Sequence, residues 1–208
     1  MPHVSSIPRS GSRQGHEQGH SVSGLIRNPD QSADLAAAGV TPVVCDLEGD
    51  DDVAAAVRGA DAVVFAAGAG PGSGVERKRT MDLGGAVKLI DAAKAEGISR
   101  YLIVSSIGAG DPPASGGDVF GEYLRAKGAA DQALANSGLD YTIVRPGRLT
   151  DEPPTGHVAL GGDVDDGEIS RADVAAVLAA SLTAENTIGK TFGLVSGERP
   201  IEDALAAL

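Results

Sequence analysis

The sequence predicts an α/β domain built on a doubly wound, mainly parallel sheet, and three observations predict it. Short runs of β-branched and aliphatic residues recur along the chain, each apolar throughout rather than alternating, as strands covered on both faces are. Ala-rich stretches of helical length separate these runs. Gly39, Gly59, Gly97 and Gly138 close the helical stretches, at the position where a helix C-terminus favours glycine.

Taken in order, Ser21–Ile26 is the first regular strand, followed by a helix over Asp30–Ala38. Pro42–Asp46 is the next strand and Asp50–Arg58 the next helix. Asp61–Ala67 forms a third strand and runs into the Gly-rich turn Gly68–Gly72. A long helix is expected over Val75–Glu96, then a strand at Arg100–Ser105, a helix at Tyr123–Ser137 and a strand at Tyr141–Arg145. Beyond Pro146 the pattern loosens, and residues 148–168 read as a Pro-, Gly- and Asp-rich loop. Ser170-Arg171-Ala172-Asp173 is a capping box opening an Ala/Val-rich helix. A strand near Thr191–Val195 and a short helix from Ile201 complete the pattern.

A chain of 208 residues, 42% hydrophobic, is long enough for one substantial core. Only 3% of the residues are aromatic, so that core must be made from Ala, Val, Leu and Ile. A formal net charge of −12 argues against nucleic acid or an anionic membrane as partner. The one basic cluster, Arg77-Lys78-Arg79, is expected as a solvated first helical turn, with help in holding a phosphate as the alternative. Cys45 stands alone, no run approaches ~18 apolar residues, and the N-terminus has no apolar stretch. A cytoplasmic location, with no disulfide and no membrane span, is therefore expected. His16 and His20 have i, i+4 spacing without a third ligand, and Asp163, Asp165 and Asp166 lack calcium-ligand spacing, so no metal is expected.

The chemistry-bearing residues lie in the middle of the chain. Tyr123 precedes Lys127 by four residues, which puts both on one helix face. An ammonium close to a phenol favours the phenolate and is expected to lower the tyrosine pKa toward a working range. Ser105-Ser106 ends the apolar run Tyr101–Val104 just upstream. Ser105, Ser106, Tyr123 and Lys127 are thus the candidate parts of a proton-transfer site.

With these segments in view, Val-Ser-Ser-Ile-Gly at 104–108, Tyr-Leu-Arg-Ala-Lys at 123–127 and Ile-Val-Arg-Pro-Gly at 143–147 resemble the atypical short-chain dehydrogenase/reductases. The subgroup resembled most is the NmrA-like and biliverdin/flavin-reductase-like NAD(P)-binding proteins, over about residues 19–205. The resemblance implies a Rossmann-like domain that binds NADP, with NAD left open, and a small-molecule substrate. Arg27 would meet the adenosine ribose, where a guanidinium suits a 2′-phosphate; a helix-flanking surface Arg is the alternative. Asp46 and Leu47 would border the adenine, and Ala66, Ala67 and Gly68 would let the cofactor pass closely. Lys127 would also bind the nicotinamide ribose, with Pro146 and Gly147 near the nicotinamide. The implied activity is hydride transfer to a carbonyl, quinone or flavin-like acceptor, and the alternative is a non-catalytic dinucleotide-binding or regulatory protein.

The N-terminus departs from that family pattern, which begins with a strand, a GxxGxxG or GxGxxG turn and a helix. Here Gly11, Gly15 and Gly19 are spaced by four, and Pro8 ends any strand over His3–Ile7. The ten residues Arg9–Gln18 fall short of the ~12–18 that a turn and crossover helix need. Residues 1–18 are therefore expected as an atypical, irregular segment, with the first βα unit missing or irregular and no phosphate-cradling turn. Residues 19–208 are expected as a single dinucleotide-binding domain.

Overall fold

The computed structural model describes residues 3–5 by their backbone, and residues 20–70, 72–112, 118–162, 164 and 166–208 in full. In chain order the first half holds β1 (His3–Ser5), β2 (Ser21–Ile26), α1 (Ser32–Ala37), β3 (Thr41–Val44), α2 (Val53–Val57) and β4 (Ala62–Phe65). There follow α3 (Val75–Arg77), a π-helical segment (Lys78–Gly85), α4 (Ala86–Ala95), β5 (Arg100–Val104), α5 (Val119–Ala135) and β6 (Asp140–Pro146). The last part holds β7 (Arg148–Thr150), β8 (His157–Gly161), β9 (Glu168–Ser170), α6 (Arg171–Thr183), β10 (Lys190–Ser196), β11 (Arg199–Pro200) and α7 (Ile201–Ala206).

Nine strands form one sheet in the order β11-β8-β10-β6-β5-β4-β1-β2-β3. It is parallel from β10 through β3, while β8 runs antiparallel to β10 and to β11. From the centre the chain winds outward one way through β2 and β3 and the other way through β4, β5 and β6, the doubly wound order. The sheet's strand direction, its helices on both faces and its switch of winding are those the sequence predicts.

Two local expectations are corrected. The central slot, expected to lack a regular strand, is filled: Val4 pairs with Val22 of β2 on one side and Ala62 of β4 on the other. An open slot would orphan backbone groups of both neighbours, at about 1–3 kcal/mol for each one buried, and three residues suffice to bridge it. The expected absence of a phosphate-cradling turn and regular helix concerns residues 6–19, which lie outside the described residues. The second correction is at 148–168, where the expected loop contains β7 and β8, with β7 pairing in parallel with β9 as a separate two-stranded sheet. Pairing across distant segments, not local alternation, makes these strands.

Local signals explain the helix ends. Asn28 accepts from Asp30 N–H, Asp52 from Ala55 N–H and Asp118 from Gly121 N–H, each satisfying a donor left free at a helix start. Asp118 thereby starts α5 four residues before Tyr123, earlier than periodicity suggests. Gly97 and Gly138, two of the expected helix stops, have φ of 71° and 82°.

The apolar strands divide their side chains between two cores. Val63 and Phe65 of β4 join Tyr101, Ile103 and Ile143 beneath α2, α4 and α5. Ala62 and Val64 join Leu102, Val144, Phe192 and Leu194 against α6 and α7. Each fully buried side chain of this size contributes about 1.5–3 kcal/mol. Because both faces are covered, neither set of alternate positions is polar, which is why the strands read as continuous apolar runs.

Candidate active site

Beside the point where the winding reverses, the C-terminal ends of β4 and β5, the π segment and the start of α5 enclose a cleft of about 820 Å³. Ala66, Ala67 and Gly68 form its floor, with Asp82 and Lys127 at the base and Phe120 and Tyr123 along the wall. A second hollow of about 590 Å³ opens on the other side of Tyr123, lined by Ser106, Ile107, Leu124, Pro146 and Gly147 among others. Tyr123, Phe120 and Leu149 border both.

α5 delivers the tyrosine and the lysine. The helix lies so close to the loop after β5 that a Cβ on Gly128 would stand 2.4 Å from Ala109 O, so glycine sets the approach. Lys127 reaches back under the strand ends. Its Nζ donates to Val104 O at 3.0 Å and Ala67 O at 3.5 Å, and pairs with Asp82 Oδ1 at 3.3 Å. The lysine side chain is 4% exposed and the aspartate 0%. Burial pushes the Lys127 ammonium pKa down, and the neighbouring Asp82 carboxylate opposes that.

Two ammonium groups lie over the Tyr123 ring, Lys78 Nζ at 5.4 Å and Lys127 Nζ at 5.9 Å from its centroid. Phe120 stacks on it at 5.8 Å with 29° between the rings. Burial raises the phenol pKa, the hydrogen bond with Ser106 opposes this, and the Asp82 and Asp131 carboxylates add to the rise. The expected lowering by Lys127 is thus not what the geometry yields. The ammonium faces the ring and is already paired with Asp82, so burial prevails.

The two adjacent serines part company. Ser105 is 2% exposed and its Oγ donates to Asp131 Oδ2 at 2.8 Å, while Arg145 Nε donates to the same oxygen at 3.0 Å. Asp131 Oδ1 is buried with no hydrogen-bond partner among the described residues. Burial raises the Asp131 carboxyl pKa, opposed first by the Ser105 hydrogen bond and then by Arg145. Ser106 lines the second hollow and hydrogen-bonds with Tyr123.

Past the end of β2, Arg27 Nη1 and Arg77 Nε meet Glu48 Oε2 at 3.2 and 3.1 Å. Arg77 Nη1 also donates to Ala69 O at 3.2 Å, and Lys78 Nζ to Gly70 O at 3.0 Å. In the expected solvated turn Arg77-Lys78-Arg79, Arg77 and Lys78 instead fasten the Gly-rich turn, with Lys78 only 8% exposed, while Arg79 is exposed and pairs with Glu122. Asp46 folds its own loop, with Oδ1 accepting Glu48 N–H at 2.9 Å. Leu47 is buried in the core near Met81. Pro146 is buried, and Gly147 donates its N–H to Leu194 O at 2.9 Å.

The structure therefore brings Ser105, Ser106, Tyr123 and Lys127 together with Ala66, Ala67 and Gly68. It places Arg27 and Asp46 at the ends of β2 and β3, and Leu47 in the core. Sequence reading missed Asp82, Asp131 and Glu48, and noticed Lys78 only as part of the basic cluster 77–79. For Asp82 and Lys78 the i, i+4 spacing on one helix was a local signal, though it did not name Lys127 as partner. Ala66, Ala67 and Gly68 line the cleft with side chains small enough for a flat ring such as nicotinamide to lie against them; the glycine itself is required by Asp82, whose Oδ1 would lie 3.0 Å from a Cβ there. Lys127 and Tyr123 would hold the ribose and face the ring there. No group of three or more potential metal ligands is found among the described residues, and none of their helices is long and apolar enough to cross a membrane.

Comparison with known proteins agrees with this geometry. A family model described as NAD(P)H-binding matches residues 7–185. The "uncharacterized sugar epimerase YhfK" of Bacillus subtilis (strain 168) is 42% identical over 190 residues, covering 91% of this chain and 88% of that one. A solved structure from Bacillus halodurans, provisionally named an NAD-dependent epimerase/dehydratase, has TM-score 0.93 and 38% identity, with 100% of both chains covered. ChuY from Escherichia coli O157:H7, described as an anaerobilin reductase, has TM-score 0.80 and 28% identity over 95% of this chain and 98% of that one. The chain belongs to the NAD(P)H-binding family, as an atypical short-chain dehydrogenase/reductase of the NmrA-like kind.

Proposed function

We propose that this protein is an NAD(P)-dependent oxidoreductase, with NADPH favoured, that passes hydride to a carbonyl, quinone or flavin-like acceptor. The observation that carries the reading is the Tyr123–Ser106 pair standing where the cofactor cleft meets the second hollow. The bound dinucleotide supplies the hydride. Tyr123, a phenol that carries its proton at neutral pH and holds it more firmly through burial, gives that proton to the acceptor oxygen. Ser106, in contact with the phenol, donates a hydrogen bond to that same oxygen. Lys127, whose charge Asp82 claims, holds the nicotinamide ribose beneath the ring rather than lowering the phenol's pKa.

Phe120, Leu149, Leu124 and Ile107 around Tyr123 support a planar, largely apolar acceptor. The Bacillus subtilis relative is named a sugar epimerase, and Ser106, Arg148 and Asp166 at the same hollow are the groups a sugar's hydroxyls would meet, so nucleotide sugars belong in the test. Arg27 and Arg77 support NADPH, because guanidinium groups suit a 2′-phosphate.

The test is Tyr123→Phe, assayed by NADPH oxidation against a panel of quinones, flavins, aromatic carbonyls and nucleotide sugars, with dinucleotide binding measured in parallel. Turnover is expected to fall by about 10²–10⁴ while binding stays nearly intact. Undiminished turnover in the variant would remove Tyr123 from the chemistry. Binding without turnover on any acceptor in the parent would leave a dinucleotide-binding protein of regulatory kind.

A further inference from the structure

Glu48 lies on the loop after β3, two residues past the adenine-bordering Asp46. Nothing in the proton-transfer scheme uses it, yet it is the most heavily engaged side chain at that end of the molecule. Its Oε2 accepts from both Arg27 and Arg77, at 3.2 and 3.1 Å, and its Oε1 accepts from Thr80 Oγ1 at 2.5 Å. Arg77 is meanwhile tied to Ala69 O on the turn that borders the cleft. The cluster thus spans from the end of β2, across the loop after β3, to the turn after β4. That is the rim along which the adenosine half of a dinucleotide would lie at a topological switch point.

Among the described residues, two guanidinium groups and the Glu48 carboxylate meet directly there. Glu48 has 17% of its side chain exposed, against 37% for Arg77 and 55% for Arg27, so the carboxylate is the innermost of the three. The Thr80 hydroxyl first, and then the two arginines, hold its carboxyl below the usual range, so it is ionised at neutral pH. A 2′-phosphate needs the same two guanidinium groups and would bring its own negative charge against the carboxylate. The 2′-hydroxyl of NADH brings none.

We propose that Glu48 is the cofactor-specificity residue of this cleft, its carboxylate holding the anion position between Arg27 and Arg77 that a 2′-phosphate would take. The proposal rests on the reading of the cleft as a dinucleotide site. It makes the parent protein a user of both cofactors, with the NADPH preference given by the arginines kept modest by an internal anion. Cofactor choice is then set by the loop after β3 as well as by the residue ending β2.

The experiment is calorimetric titration of the full-length protein with NADPH and with NADH, for the parent and Glu48→Gln, at low and at high KCl. Gln keeps the side-chain size and a carbonyl acceptor for Thr80 but removes the charge. NADPH is expected to bind the variant ~3–10-fold more tightly at low salt, from the Coulomb energy of a phosphate and a carboxylate several ångströms apart near a surface. NADH affinity should be unchanged, and the NADPH gain should shrink as salt screens the pair. Glu48→Ala should move NADPH the same way, and melting curves of both variants establish that the fold is kept. An unchanged NADPH affinity, or a ratio shifted only by weaker NADH binding, would overturn the proposal. If the parent binds neither dinucleotide, the reading of the cleft falls and this proposal falls with it.

Discussion

Removing the charge of Asp82 should destabilise the protein more than any other single isosteric change at the cleft. Asp82 is fully buried and pairs with Lys127 Nζ at 3.3 Å, in a lysine side chain only 4% exposed. In Asp82→Asn the shape is kept, but a buried ammonium remains with two backbone carbonyls, its paired carboxylate gone and only the weaker influence of Asp131 left. Breaking one partner of a buried pair costs about 3–5 kcal/mol. For a chain of this size each kcal/mol moves the melting temperature by roughly 2–4 °C, so a fall of about 6–20 °C is expected at neutral pH. The pH dependence has a definite sign. Burial already lowers the Lys127 pKa in the parent, and without Asp82 it falls further. The unfolded state then binds more protons than the folded state between the two values, so stability rises with pH there. The deficit of Asp82→Asn should accordingly narrow as pH climbs toward the ordinary lysine range, where both states lose the proton. Asp82→Leu combined with Lys127→Met should regain most of the lost stability, since no unpaired charge stays buried. Thermal melts across pH would check all of this. A drop under about 2 °C for Asp82→Asn, or a deficit independent of pH, would refute the reasoning.

The two serines are expected to separate by readout. Ser105→Ala removes a donor from buried Asp131 and should cost about 1–3 kcal/mol in melts while turnover persists. Ser106→Ala should instead lower turnover with little change in melting temperature, and the reverse pattern would exchange their roles. Arg27→Ala should weaken NADPH more than NADH, as measured by titration, and an equal loss for both would show that Arg27 does not read the 2′-phosphate.

Much of the architecture was legible because it is written in local periods. Continuous apolar runs such as Ala62–Phe65 and Tyr101–Val104 announce strands covered on both faces, and their place among Ala-rich helices fixes a parallel, doubly wound sheet. The i, i+4 spacing of Tyr123 and Lys127 is equally local, and so are the end of α4 before Gly97 and that of α5 before Gly138. Where no local period exists, the sequence was silent. β7 and β8 are strands only because β9 and β10 lie beside them, and His3–Ser5 is a strand because β2 and β4 leave a slot of its width. The electrostatics of the site belong wholly to tertiary structure. Spacing puts Lys127 near Tyr123 on a helix, but the ammonium's charge is claimed by Asp82, on a helical segment that packs across α5 from a distant part of the chain. Ser105 and Ser106 are chemically identical in sequence, and only the positions of Asp131 and Tyr123 give one a structural bond and the other the phenol. A carboxylate's partner depends on which elements cross, and element crossing is decided by the burial of whole faces rather than by any residue's neighbours in the chain.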